Sequence, residues 1–155
     1  MSDLNKQILA RLQELEDKEA IRSVLNQYCI RPDNYDFAGY AQLYTEDGTM
    51  GFSQWGPKVG HAAIEQACAA ERVYEGLLHM MTNMEITIDG PTTAHATARV
   101  FFCATPKLDR LGENYAFGGP YEYTFVKRAE GWKIRSMVLK KTWEMGTDTE
   151  GVFVN

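Results

Sequence analysis

Leu77-Leu-His79-Met-Met81-Thr82-Asn83-Met84-Glu85-Ile86-Thr87-Ile88-Asp89-Gly90 is the stretch on which the reading of this chain turns. Its second half, Met84 to Ile88, alternates apolar and polar residues at the period of a strand, and Asp89-Gly90 is a turn signal. Its first half carries His79, one of 3 histidines in the chain. A neutral imidazole exchanges a proton near neutral pH at little cost, and a strand would give it a rigid mount. The expectation is a general base at His79, held by an acid from elsewhere in the chain. The competing reading is a hydrogen-bonded core histidine at a strand end. Parity adds a difficulty. His79 shares a face with Met81, Asn83 and Glu85, whereas the more apolar face is Met84, Ile86 and Ile88. A bulge near Thr82-Asn83, or a strong bend, would remove the conflict.

Downstream, strands are expected at 79–88, 93–105, 115–128 and 131–143. Thr93 to Val100 alternates cleanly, as do Tyr121, Tyr123 and Phe125 against their neighbours, and Ala129-Glu130-Gly131 reads as a hairpin turn. Upstream, helical spacing covers residues 3–30, in one piece or in two with Asp17 capping the second. Pro32 is expected to end that helix. A short helix over Asp36–Tyr44, a turn at Thr45–Gly48 and a strand at Thr49–Phe52 follow. Gln54-Trp55-Gly56-Pro57 reads as a loop, and a helix runs from His61 to about Arg72. Helices first and antiparallel strands after give an α+β domain with helices on one face of a curved sheet.

One domain is expected over 1–155, with its core at about 15–143 and a tail at 144–155 that is either disordered or covers a pocket mouth with Val152, Phe153 and Val154. A net charge of -5 argues against nucleic acid and anionic membrane surfaces as partners. Cys29, Cys68 and Cys103 are widely spaced and odd in number, so a reduced, cytoplasmic chain is expected. No secretory leader, membrane span, metal-ligand set, phosphate loop or nucleophile elbow is apparent, so no cofactor and no metal are implied. His61, at a helix start, and His95, among threonines, are poorer candidates than His79.

Asp33 follows Pro32 just beyond a helix, with Tyr28 about one and a half turns before it. Such an acid could orient His79 and stabilise its imidazolium; a plain polar turn is the alternative. The stretch from Tyr28 through Asp33, Asp36 and Tyr44 to Asp47 resembles the SnoaL-like group of the nuclear-transport-factor-2-like superfamily. Val59-Gly60-His61-Ala62-Ala63-Ile64, His79-x-x-Thr82-Asn83 and Gly131-Trp132-Lys133-Ile134 match it too, in the family's order. The resemblance implies a cone-shaped, strongly curved, mostly antiparallel sheet closed by N-terminal helices around an apolar cavity. It also covers members that dehydrate scytalone or bile acids and that dehydrochlorinate lindane, eliminations carried by an Asp–His pair.

The resemblance therefore implies a cofactor-independent lyase, of dehydratase type, acting on a small hydrophobic cyclic substrate. His79 would be the base, Asp33 its orienting acid, and Tyr28 a hydrogen-bond donor to the leaving hydroxyl or a carbonyl. An isomerase, a polyketide cyclase and a non-catalytic binding module are the alternatives on the same fold. Tyr44, Phe52, Trp55, Phe101, Tyr115, Phe117, Tyr121 and Tyr123 are candidates to line the pocket. An arginine of many relatives falls at Met137 here. Arg135, on the same face by strand parity, is expected to replace it in the pocket, with a solvent-facing charge as its alternative; Lys141 lies further along that face. A homo-oligomer is expected, a trimer ahead of a dimer, because the strand at 93–105 has packing needs on both faces and related dehydratases suggest the trimer.

Overall fold

The N-terminal helix α1 spans Asp3–Asp33 without a break in a computed structural model that describes residues 2–52 and 55–153. Ser2 caps it, accepting from the Asn5 backbone N–H at 3.3 Å. Asp17 is not a cap. It lies in a buried stripe with Ile21, Leu25, Tyr28 and Pro32, spaced three and four residues apart on one helix face. Its carboxylate accepts from Lys127 Nζ at 2.6 Å and Trp132 Nε1 at 2.9 Å, so the helix is pinned to the sheet there and, of the two readings, the unbroken one holds. Nor does Pro32 end the helix. The one helix bond that proline forfeits, to the Tyr28 carbonyl, lies about a turn from the end and does not stop the chain from completing that turn. The chain leaves the helix at Asn34, whose N–H donates to Ile30 and Arg31 carbonyls.

The short helix α2 covers Phe37–Ala41, capped by Asp36. Strand β1 runs Tyr44–Phe52, longer than expected. The acid-rich segment read as a turn is extended chain, with a register irregularity between Tyr44 and Thr49. β2, Gly56–Val59, pairs antiparallel with β1 in a segment read as a loop; Gln54 of that segment lies outside the described residues. Helix α3, His61–Ala69, continues as a 3₁₀ turn over Ala70–Val73. β3 (Gly76–Gly90), β4 (Thr93–Thr105), β5 (Tyr115–Arg128) and β6 (Gly131–Leu139) form a meander, and β7 (Trp143–Met145) adds to β5. The sheet order is β2-β1-β6-β5-β4-β3, curved and unclosed. Its pairs are antiparallel except β1 with β6.

Alternation along β4 sends Ala94, Ala96, Ala98, Val100, Phe102 and Ala104 inward. These alanines are complementary to the rings across the ladder: Ala96 faces Tyr123, Ala98 faces Tyr121 and Ala104 faces Tyr115. α1 lays Ile21, Leu25 and Tyr28 into that surface. Fully burying an aliphatic side chain of this size contributes about 1.5–3 kcal/mol.

Two bulges decide what the inner face carries. In β3, Thr82 pairs with Arg99 but Glu85 with Thr97, so Asn83 and Met84 together face a single residue. Asn83 takes up the distortion at φ 53°, in the left-handed region asparagine tolerates. Before the bulge Leu77, His79 and Met81 are the more buried residues; after it they are Met84, Ile86 and Ile88. The parity conflict at His79 is thereby removed. In β6, Thr124 pairs with Ser136 but Phe125 with Ile134, leaving Arg135 as the extra residue. Trp132 and Ile134 are buried on one side of it, Met137 and Leu139 on the other.

Candidate functional site

α1 ends on Asp33, and β3 brings His79 alongside it. The Asp33 carboxylate accepts from the His79 backbone N–H at 3.1 and 3.0 Å through its two oxygens. Oδ1 also meets the ring Nδ1 at 2.6 Å. An ionised carboxylate can only accept, so Nδ1 carries the proton and Nε2 keeps its lone pair for chemistry. The ring packs on Phe102 with centroids 4.6 Å apart, and its side chain is 10% exposed.

His79 forms part of the wall of a cavity of about 40 Å³. Tyr28 and Tyr121 line it too, the Tyr28 hydroxyl donating to Tyr121 Oη at 3.1 Å. Burial first, then neighbouring tyrosines, pushes the Tyr28 hydroxyl well above its ordinary acidity range, and burial does the same at Tyr121. Both are neutral donors at physiological pH. Cys68 also faces the cavity, but burial holds its thiol protonated, unfit as a nucleophile. Phe52, Trp55, Phe117 and Met137 contribute apolar wall.

Other candidates fall elsewhere. Tyr44, Tyr115 and Tyr123 are buried in the core outside the cavity. Tyr44 meets Tyr40 Oη at 3.2 Å, and Tyr115 donates to Glu144 at 2.6 Å and accepts from Lys141 at 3.0 Å. Phe101 lies on the opposite sheet face, packed on Trp143, because its neighbour Phe102 takes the inward position. Arg135 is exposed and paired with Asp47; the β6 bulge turns it away from the face that Met137 keeps. Lys141 is committed to Glu144. His61 is half-buried on the Tyr44 carbonyl at 2.9 Å, and His95 pairs with Asp89 on the exposed face. Among the described residues, no group of three or more His, Cys, Asp or Glu is arranged to hold a metal ion, and no helix is long and apolar enough to cross a membrane.

Sequence reasoning did not single out Glu71, Tyr40 or Phe102, all of which line the cavity. Glu71 was legible in principle. Ile64, Cys68 and Glu71 recur at the spacing of one helical face, and the first two are apolar. Burial raises the Glu71 carboxyl to about 7, with His79 opposing the rise and Asp33 adding to it. The tail supplies Phe153, which stacks on Trp55 and Tyr74 with centroids 5.7 and 5.8 Å apart. Its backbone is tied down by Trp55 Nε1 to the Val152 carbonyl at 2.9 Å and by Phe153 N–H to Asp148 at 2.6 Å. Of the tail residues expected at the pocket, Val154 lies outside the described residues.

The SnoaL-like domain family matches residues 13–138. The chain belongs to that family. Solved structures similar in fold include the following three. A Novosphingobium aromaticivorans protein provisionally described as a scytalone dehydratase is 20% identical, with a TM-score of 0.79 over 88% of this chain and 91% of its own. The hexachlorocyclohexane dehydrochlorinase of Novosphingobium barchaimii is 13% identical, with a TM-score of 0.76 over 90% and 95%. An NTF2-like protein with a cystatin-like fold, also from N. aromaticivorans, is 22% identical, with a TM-score of 0.76 over 100% and 99%. Identities this low establish the fold alone for the SnoaL-like chain. No curated protein sequence matches it.

Proposed function

We propose that this SnoaL-like protein is a cofactor-independent lyase that removes water from a small cyclic β-hydroxy carbonyl compound. The observation that carries the reading is the double hold of Asp33 on His79 in the wall of an apolar cavity. His79 Nε2 takes the proton from the carbon next to the carbonyl. Asp33 fixes the tautomer that leaves Nε2 free and stabilises the imidazolium that forms. The neutral Tyr28–Tyr121 hydroxyl pair donates toward the carbonyl oxygen as negative charge develops there, in a site with little water to compete. Dehydratase and dehydrochlorinase neighbours on the same fold support the elimination class.

The cavity has room for a few waters but not for a ring. A cyclic substrate therefore enters only when the cavity widens. An isomerase would use the same base and the same hydroxyl pair, so the two reactions are separated by mass. The test is a panel of cyclic β-hydroxy ketones, from β-hydroxycyclohexanone to three fused rings, followed by mass spectrometry. Loss of water, dependent on His79, supports the reading. Conversion without mass change favours isomerisation, and binding without conversion favours a carrier.

A further inference from the structure

Loss of hydroxide is difficult unless the departing oxygen receives a proton. His79 cannot supply it in the same step in which it takes one from carbon, and the tyrosine hydroxyls are held far from ionisation by burial. A concerted elimination therefore needs a second acid, and the cavity holds one. Glu71 is 5% exposed and lines the same cavity as His79. Its Oε2 is fully buried and meets no hydrogen-bond partner among the described residues. An ionised carboxylate in that position would be poorly solvated, so the neutral acid is the favoured form, with a proton to donate.

We infer that Glu71 is the general acid that protonates the departing oxygen, which makes the site selective for hydroxyl over halide as leaving group. The inference rests on the elimination reading above. In the step, the C–H bond breaks and its electron pair forms the C=C bond, while the proton goes to His79 Nε2. The C–O bond breaks with its pair on oxygen, which takes the Glu71 proton and leaves as water. The imidazolium and the Glu71 carboxylate then exchange one proton, and the site is restored. The groups facing Glu71 suit a carboxyl that changes state within one turnover. His79 on β3 becomes cationic when Glu71 becomes anionic; Asp33 on α1, Cys68 on α3 and Tyr121 on β5 do not neutralise it at rest.

The test compares β-hydroxycyclohexanone with β-chlorocyclohexanone, the same ring with a leaving group that needs no proton. Glu71→Gln is expected to slow water loss about 10²–10⁴-fold and to leave chloride loss within a few-fold of the wild-type rate, while His79→Ala abolishes both. On the wild-type protein, which needs no variant to fold, water loss relative to chloride loss should fall as pH rises through about 7, where Glu71 gives up its proton. Equal slowing of both reactions by Glu71→Gln, no slowing of either, or a pH-independent ratio overturns the donor role and leaves the elimination reading standing. Turnover of neither compound by the wild-type protein overturns the elimination reading and the donor role together.

Discussion

The Asp33 carboxylate receives both the backbone N–H and the ring Nδ1 of His79, a residue 46 positions away in sequence. The contact joins the last residue of α1 to the fourth residue of β3, so a structural tie and an oriented imidazole are one feature. Hydrogen bonds to a charged group contribute about 1.5–3 kcal/mol. Removing Asp33 outright would therefore disturb the fold and the site together, and only a shape-preserving change separates the two roles.

The buried carboxylate on α1, Asp17, has a structural role. Asp17 joins α1 to β5 and β6 through Lys127 and Trp132. Burial alone would push its carboxyl up, but these hydrogen bonds outweigh it and hold the group below the ordinary value. A depressed carboxyl stabilises the fold above its unfolded pKa, and that stability is lost as pH falls through the folded one. Asp17→Asn should lower unfolding free energy by about 1–3 kcal/mol at neutral pH. In urea titrations its deficit relative to wild type should shrink in acid; a deficit independent of pH would contradict the assignment.

Glu71 works in the opposite direction. Its folded-state carboxyl is raised from 4.5 to about 7, so the native protein keeps a proton that the unfolded chain has released. Stability is fully present below the unfolded value and falls as pH rises through about 7, by a total on the order of 3 kcal/mol. Glu71→Gln should flatten this slope and be relatively more stable than wild type at alkaline pH. Parallel stability profiles for the two proteins would show that Glu71 titrates alike in the folded and unfolded chain.

Phe153 lines the cavity from the tail, its segment held by Trp55 on the Val152 carbonyl and by Asp148 on the Phe153 N–H. Phe153→Ala should admit ring compounds more readily. β-Naphthol binding, followed by tryptophan fluorescence, should tighten or speed up, and the melt should fall as well, because Phe153 is buried among the rings of Trp55, Tyr74, Phe102, Tyr115 and Phe117 and a buried Phe→Ala change costs about 3–5 kcal/mol. Unchanged binding rates would mean that entry uses another route.

Leu4, Ile8, Leu12 and Leu15 form a stripe on the first half of α1 that is 49–64% exposed. Their spacing is that of a packing face, and association of copies through it is the expected outcome. Light scattering at micromolar concentration should give more than a monomer mass, and Ile8→Lys with Leu12→Lys should reduce it. A monomeric wild-type protein would contradict the expectation.

The fold was legible because its signals are local. Alternation in 93–105 and 115–128, the turn at Ala129-Glu130-Gly131 and the periodicity of α1 each lie within a short window. Errors arose where one residue changes the count. Parity carried Arg135 to the Met137 face because nothing in Ile134-Arg135-Ser136 announces a bulge. At Thr82-Asn83 the conflict between two apolar faces did announce one. Glu71 escaped notice because a lone acid in the last turn of a helix ordinarily faces water; here it is turned inward and buried. The pairing of Asp33 with His79 was readable only through family resemblance, since sequence separation hides contact.

The central claim, that Asp33 and His79 act as an oriented base, is tested most directly by the rate of water loss from the best-processed ketone of the panel. Wild type, His79→Ala, Asp33→Asn and Tyr28→Phe are compared, each first shown to be folded by circular dichroism. His79→Ala and Asp33→Asn should both fall by about 10²–10⁴-fold, because a neutral amide cannot stabilise an imidazolium. Tyr28→Phe should keep partial activity, since Tyr121 still offers a hydroxyl. Near wild-type rates in both His79→Ala and Asp33→Asn would contradict the account and leave the pair as a structural clasp between α1 and β3.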